Sequence, residues 1–291
     1  MTRSFQHLRP DSPREACEMK AKHGSKAVFW AGGTDLMLQW RRGAVDFDYC
    51  IDLSGLDELR QIRSDDTTTT IGALATIASL QAHERLERDF PVLLDMADRF
   101  ATPQIRNVAT VGGNLCHGVP SADSAPPLIA LGAEVKLVSH EEERVLPLES
   151  FFEGPKETAL REGEMLAEIS VHRLPDRSAC TFERMARSYV DIALASAACR
   201  LTVDGEGRIS HARIVLGAVA PVPLRSVGAE DLLIGVPLSE ITEELLDEVA
   251  ERAAMDARPI SDVRTTAAYR KHLSGVLVKR AVADAVRRLG E

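Results

Sequence analysis

Two glycine pairs are the residues best suited to chemistry in this chain. The first, Ala31-Gly32-Gly33-Thr34-Asp35-Leu36, lies between an apolar run and a stretch with helical spacing. Adjacent glycines allow positive φ and remove the Cβ atoms that would keep a ligand away from main-chain N–H groups. The positive end of the helix dipole that follows adds to them, so the place suits a phosphate. The string lacks the Gly-x-Gly-x-x-Gly spacing of a dinucleotide fingerprint and the Gly-Lys-Ser/Thr of a Walker loop, and alone it also fits a plain tight turn. The second pair sits in Thr110-Val111-Gly112-Gly113-Asn114-Leu115, followed by Pro120-Ser121-Ala122-Asp123. A hydroxyl before this turn and an amide after it gather small donors where an anion can sit. Asp123 can accept from the donors of a ribose or adenine, and it equally suits the N-cap of a helix over 125–131. Two such loops in one domain fit a pyrophosphate held from both sides.

Other chemistries lack their residues. The five cysteines, Cys17, Cys50, Cys116, Cys180 and Cys199, are scattered without a Cys-x-x-Cys pair. That pattern argues against a disulfide framework and against an iron–sulfur or zinc site built by this chain, and most should be buried apolar residues. The eight histidines show no His-x-x-x-His on a plausible helix, so no metal site is expected. His117 has no Ser or Cys partner in a triad-like context and reads as a non-covalent loop histidine. Trp30 and Trp40 flank the first glycine loop and fit core packing. No residue is assigned a catalytic role.

The elements around the loops read as follows. Ser12-Pro13-Arg14-Glu15 is a capping box that opens a helix over 13–23, with Gly24 as its stop. A strand over 27–31 leads into the first loop, and Thr34 is expected to cap a helix to about Arg42. Strands are expected at 49–53 and 67–71, then helices at 77–88 and 91–99. Residues 101–127 carry too many prolines and glycines for regular structure and read as a long functional loop. Strands at 133–139, 144–148 and 165–171 follow. Beyond Leu174-Pro175-Asp176-Arg177 the signals turn antiparallel, with a hairpin of 195–203 and 208–216. Two closing helices place Leu245, Leu246, Val249 and Ala253, and Leu273, Val276 and Leu277, on their inner faces. The opening alternation alone favours an α/β arrangement. No internal repeat is evident.

Length and charge bound the function. The 291 residues suggest two domains. Lys and Arg number 35 against 44 Asp and Glu, a net charge of −9 with no long block of either sign, which disfavours nucleic acid as a partner. No stretch approaches the roughly 18 apolar residues of a membrane span, and the first ten residues lack a signal-peptide core, so a cytoplasmic protein is expected.

AGGTDL (Ala31 to Leu36) and TVGGNLCHGVPSADSAP (Thr110 to Pro126) together resemble the FAD-binding medium subunit of the molybdenum hydroxylases, the xanthine dehydrogenase and carbon monoxide dehydrogenase family. The resemblance continues through LGAVAPVPLR (Leu216 to Arg225) and DVRTTAAYRKHLSGVLVKRA (Asp262 to Ala281), covering nearly the whole chain. It implies an α+β fold: a two-part FAD-binding domain of the vanillyl-alcohol-oxidase type over 1–175, then a smaller domain of antiparallel sheet and helices over 176–291. It implies that Gly32, Gly33, Thr34, Asp35 and Leu36 bind the FAD pyrophosphate, mainly through backbone N–H groups. Thr110, Gly112, Gly113 and Asn114 would do so from the other side. Asp123 would contact the adenosine part, and Phe100, Cys116 and Leu166 would line the cofactor. Arg184, in Phe182-Glu183-Arg184, falls where relatives commonly carry a Lys near the flavin, keeping the charge without its point geometry. Val190-Asp191-Ile192 stands where many relatives have an aromatic residue, so Ile192 packs but cannot stack, while Tyr189 either substitutes from nearby or is a surface tyrosine. No cysteine-bearing insertion for an extra cluster interrupts the chain.

The function implied is electron transfer. A large molybdenum subunit with a molybdopterin-type cofactor would hydroxylate the substrate. A small subunit with two [2Fe-2S] clusters would relay electrons to the FAD here, and an external acceptor would take them. Two copies of each of three subunits would be expected. The alternative is a free-standing FAD oxidase or dehydrogenase, which needs a base near the flavin ring that the sequence does not offer. A third reading, an assembly module that has lost its flavin, conflicts with the intact loops. The substrate and the choice among NAD, quinone, cytochrome and oxygen as acceptor are not written in this chain.

Overall fold

The computed structural model describes residues 4–290. The chain opens with three parallel strands, β1 (Gln6–Leu8), β2 (Ala27–Trp30) and β3 (Tyr49–Asp52), in the order β1-β3-β2. Between β1 and β2 runs α1 (Pro13–His23), started as the sequence indicates: Ser12 Oγ accepts from the Glu15 N–H at 3.2 Å, and Pro13 sits where no N–H is needed. Glu15 reaches back one residue further than a capping box requires, accepting from the Asp11 N–H at 2.6 Å. Ala16 and Cys17 bury the inner face of α1 with Ile51 and Leu53. The next helix, α2 (Leu36–Arg41), starts two residues after Thr34. Asp35 occupies the cap position, and neither side chain caps the helix, contrary to the expectation for Thr34.

A second sheet of five antiparallel strands follows in the order β4-β5-β10-β6-β7. These are β4 (Ile62–Ser64), β5 (Thr68–Gly72), β6 (Glu134–Val138), β7 (Glu143–Pro147) and the central β10 (Met165–His172); the hairpin of β8 (Phe152–Gly154) and β9 (Glu157–Thr158) lies apart. Between β5 and β6 the chain runs through short helices: α3 (Ile77–Gln81), α4 (Glu84–Asp89), α5 (Pro91–Asp98), α6 (Pro103–Arg106), α7 (Val111–Cys116) and α8 (Ala125–Leu131). The single helix expected over 77–88 is broken because His83 is extended and starts α4 afresh as its cap. The region 101–127 is not irregular throughout. Pro103, Pro126 and Pro127 fall in the first turns of α6 and α8, where a missing N–H costs nothing, and Pro120 lies in the turn between α7 and α8.

The third sheet is antiparallel, ordered β11 (Ser178–Met185), β12 (Ala195–Val203), β13 (Ile209–Gly217), β14 (Leu224–Arg225). After α9 (Val227–Asp231), the helices α10 (Glu243–Asp256) and α11 (Ala267–Gly290) cover one face of it. Ala195, Ala197, Cys199 and Leu201 point to these helices, while Phe182, Ala198 and Val215 on the other face join the core around α5 and α8. On α11, Leu273, Leu277 and Val278 are buried, and Val276 only partly. No helix among the described residues is long and apolar enough to cross a membrane.

Candidate functional site

The first glycine pair lies on a turn whose floor is Trp30. Gly33 has φ +68°, and a Cβ there would sit 2.3 Å from the Trp30 ring. A Cβ on Gly32 would sit 1.9 Å from the Val108 carbonyl oxygen, so this glycine is where the two loops meet. Val108 leads directly into Thr110 and the second pair. The backbone N–H groups of Gly32, Gly33, Thr34 and Asp35 find no acceptor among the described residues. All four residues, with Leu36, line a pocket of about 230 Å³. Four consecutive unspent donors facing one pocket suit an anion with several oxygens.

The second pair is built differently from the open turn its sequence suggests. It forms α7, capped by Thr110 Oγ1, which accepts from the Gly113 N–H at 3.1 Å. The N–H groups of Val111, Gly112 and Asn114 are also spent, on Ala75, Ala73 and Thr110 carbonyls at 3.0, 2.9 and 3.0 Å. Gly112 is a packing residue: its Cβ would meet Ala73 Cβ at 2.6 Å, and it does not line the pocket. What this loop presents is the Asn114 side chain. Its Oδ1 accepts from Ser124 Oγ at 2.6 Å, leaving the amide NH₂ toward the pocket it lines.

His117 ties the two loops together. Gln39 Nε2 lies 3.0 Å from His117 Nε2, and His117 Nδ1 lies 3.5 Å from Asp35 Oδ2. An amide nitrogen only donates, so Nε2 accepts and Nδ1–H faces Asp35. Cys116 lines the same pocket, and burial pushes its thiol up to about 12, far from a reactive thiolate. Leu166 is buried in the core and meets Cys116 through its backbone instead of lining the pocket.

The pocket opens through Thr34, Asp35, Phe100, Asn114 and His117 into a cleft of about 630 Å³ between the second sheet's helices and the third sheet. Asp123 and Arg184 lie on its wall and bind each other. Arg184 Nε is 3.0 and 3.1 Å from the two carboxylate oxygens, and its Nη2 donates to the Asp191 carbonyl. Burial pushes the Asp123 carboxyl above its ordinary value, against the pull of Arg184. Asp123 is not a helix cap, since Ser124 occupies that position on α8. Because Asp123 and Arg184 touch, they meet a ligand as one unit.

On the far wall, Arg270 of α11 donates to the Leu194 and Ala218 carbonyls at 2.6 and 3.1 Å and to Asp262 at 3.0 Å. Against its partial burial, hydrogen bonds from the Arg264 N–H and the Arg270 and Arg264 guanidiniums hold the Asp262 carboxyl well below the usual range. Ile192 lines the cleft as an aliphatic side chain, whereas Tyr189 is 66% exposed and donates to the Asp98 carbonyl at 2.7 Å. Ala101, with φ +39°, also lines the cleft and carries the backbone strain often found beside functional sites.

Of the residues singled out in the sequence, Gly32, Gly33, Thr34, Asp35, Leu36, Phe100, Thr110, Gly113, Asn114, Cys116, Asp123 and Arg184 converge on the pocket and cleft, and Gly112 and Leu166 do not. Sequence reasoning missed Gln39, which carries no local signal, and the pairing of Asp123 with Arg184. The Asp262, Arg264 and Arg270 cluster was visible as a motif, but its place beside the cleft was not.

Residues 3–173 match the family described as the FAD binding domain in molybdopterin dehydrogenase, and residues 180–285 match the CO dehydrogenase flavoprotein C-terminal domain. The chain is 32% identical over 278 residues to the carbon monoxide dehydrogenase medium chain of Hydrogenophaga pseudoflava, covering 96% of each chain. It is 32% identical over 268 residues to the xanthine dehydrogenase FAD-binding subunit of Escherichia coli O157:H7, covering 91% of this chain and 90% of that one. A solved carbon monoxide dehydrogenase structure from Hydrogenophaga pseudoflava superposes with a TM-score of 0.94 at 32% identity, covering 99% of both chains.

Proposed function

The chain belongs to the FAD-binding medium subunits of the molybdenum hydroxylases, oxidoreductases of the carbon monoxide and xanthine dehydrogenase type, and on that premise we propose that it is the electron-transfer flavoprotein of such a complex. The observation that carries the residue assignment is the row of unspent N–H groups at Gly32 to Asp35. These residues and Leu36 hold the FAD pyrophosphate. The Asn114 amide donates from the other side, with Thr110, Gly112 and Gly113 shaping α7 so that it can. Asp123, oriented by Arg184, accepts from the adenosine part, and Phe100 and Cys116 line the cofactor. Residues 1–175 form the cofactor domain, and residues 176–291 close the cleft with Arg184, Asp262 and Arg270.

FAD, when bound, supplies the redox chemistry by collecting electrons one at a time and giving them up to an acceptor. The chain's own residues bind and orient it. His117 fixes the distance between the loops through Gln39 and Asp35, and the half-buried Cys116 thiol stays protonated and inert. The electrons come from the [2Fe-2S] clusters of a small partner subunit, and the substrate reacts at the molybdopterin-type cofactor of a large one, in a dimer of heterotrimers. In support, relatives named for carbon monoxide and for xanthine share this one chain design, as expected if substrate choice lies outside it. Purifying the chain after co-expression with its neighbours tests this: two further chains carrying molybdenum and iron should co-elute. Turnover of a small substrate by the isolated chain with an artificial dye would overturn it.

A further inference from the structure

The face of the third sheet turned away from α10 and α11 carries two arginines that form no ion pair among the described residues. Arg200 on β12 and Arg213 on β13 stand directly opposite each other in the antiparallel register, and Thr202 and His211 form the next pair on the same face. Like charges at a directly opposed pair repel. Among the described residues each guanidinium makes one hydrogen bond, Arg200 Nη1 to the Leu131 carbonyl at 3.3 Å and Arg213 Nη1 to the Ile129 carbonyl at 3.1 Å. Those carbonyls end α8, and a helix C-terminus carries only about half a negative charge, so most of the two positive charges is left over.

Three buried donors are also unused. Arg200 Nε, Arg213 Nε and His211 Nε2 have no hydrogen-bond partner among the described residues. All three side chains line a cavity of about 460 Å³, whose opposite wall is Gly132 to Glu134 and the segment His172 to Pro175 joining the second and third sheets. Two carboxylates share that lining, but neither forms an ion pair with Arg200 or Arg213 among the described residues. Glu134 lies 3.7 Å from His172, and Glu149 lies 3.9 Å from Arg225, acting on Arg213 only through space.

We propose that this cavity binds a small oxyanion of the phosphate class, held by the guanidiniums of Arg200 and Arg213 with the His211 ring N–H as a third donor. The anion offsets the repulsion across β12 and β13, and a small turn of these side chains brings the idle donors to it. Its volume leaves room for an organic group beyond the phosphate. Because the cavity is walled by both sheets and their connection, occupancy braces the third sheet against the FAD-binding half. A recess set between the two sheets and their connecting segment favours a free small anion over a partner's side chain, which would share the same chemistry.

The test is calorimetric titration of inorganic phosphate into the full chain, with FAD saturating so that the glycine loops do not contribute, against chloride at matched ionic strength. Saturable binding at one site per chain is expected, weakened about tenfold or more by Arg200→Met and by Arg213→Met. Should either variant fail to fold, His211→Gln, which leaves both helix-end contacts intact, is read in the same way and should bind several-fold more weakly. Absence of saturable heat, or equal binding by wild type and variants, overturns the proposal. Repeating the titration on the assembled complex separates the sources: retained binding supports a free anion, and binding lost on assembly overturns it in favour of a partner's carboxylate.

Discussion

Replacing Gly32 by alanine should detach the flavin with a single methyl group. The new Cβ would lie 1.9 Å from the Val108 carbonyl oxygen, and real Cβ contacts essentially never fall below 3.0 Å, so something must move by at least 1.1 Å (3.0 minus 1.9). Val108 and Ala109 are pinned by N–H bonds to Ile105 at 3.0 and 2.7 Å, and the Ala109 carbonyl accepts from Ile77 at 3.0 Å. The glycine turn is therefore the part that shifts. A displacement of about 1 Å takes N–H donors out of hydrogen-bond range of a fixed acceptor. Losing two of the four charge-assisted bonds, at about 1.5–3 kcal/mol each, weakens binding by roughly 10²- to 10⁴-fold. Overpacking adds about 1–3 kcal/mol of lost fold stability. Titrating the apo chain with FAD while following flavin fluorescence measures the first effect, and urea unfolding measures the second. Gly205→Ala, with nothing within 4 Å of the added methyl, is the control and should bind FAD normally. A folded Gly32→Ala protein that binds FAD within about threefold of wild type would refute the reasoning.

Three further outcomes follow from the geometry. Asp123→Leu strands the buried Arg184 charge and should cost about 3–5 kcal/mol in urea unfolding, most of it recovered in the double variant with Arg184→Met; a double variant as unstable as the single would show that the pair is not the cause. The Asp262 carboxyl titrates lower in the folded chain than in the unfolded one, so its contribution is complete above about pH 4 and fades as pH falls further. Asp262→Asn should flatten that acid limb of the thermal melting curve, and an unchanged slope would sink the assignment. Cys116, its thiol raised to about 12, should resist iodoacetamide at pH 8 in the native chain and react once unfolded, as read by mass spectrometry of the labelled peptide; rapid native labelling would contradict the raised value.

Local signals made the first glycine loop legible. An apolar strand, two glycines and a helix follow one another within fifteen residues, and each is set by its own neighbourhood. The second loop was legible as a site but not in form. Two glycines argue against a helix, yet Thr110 caps one and Gly112 is fixed by its approach to Ala73. Strand β11 escaped because it is covered on both sides, Thr181 facing α11 and Phe182 the other core, which erases the period of two. Contacts that close the site join residues far apart in sequence: Gln39 with His117, 78 positions away, and Asp123 with Arg184, 61 positions away. No local pattern encodes such pairs, and the fold alone brings them together.

The central claim, that unspent N–H groups at Gly32 to Asp35 hold the pyrophosphate of FAD, is tested most directly by the flavin content of the purified chain. After incubation with FAD and desalting, the visible spectrum of the native chain and of its denatured supernatant should show one intact FAD per chain, and about none in Gly32→Ala. Stoichiometric FAD in both proteins, or none in either, would contradict the account.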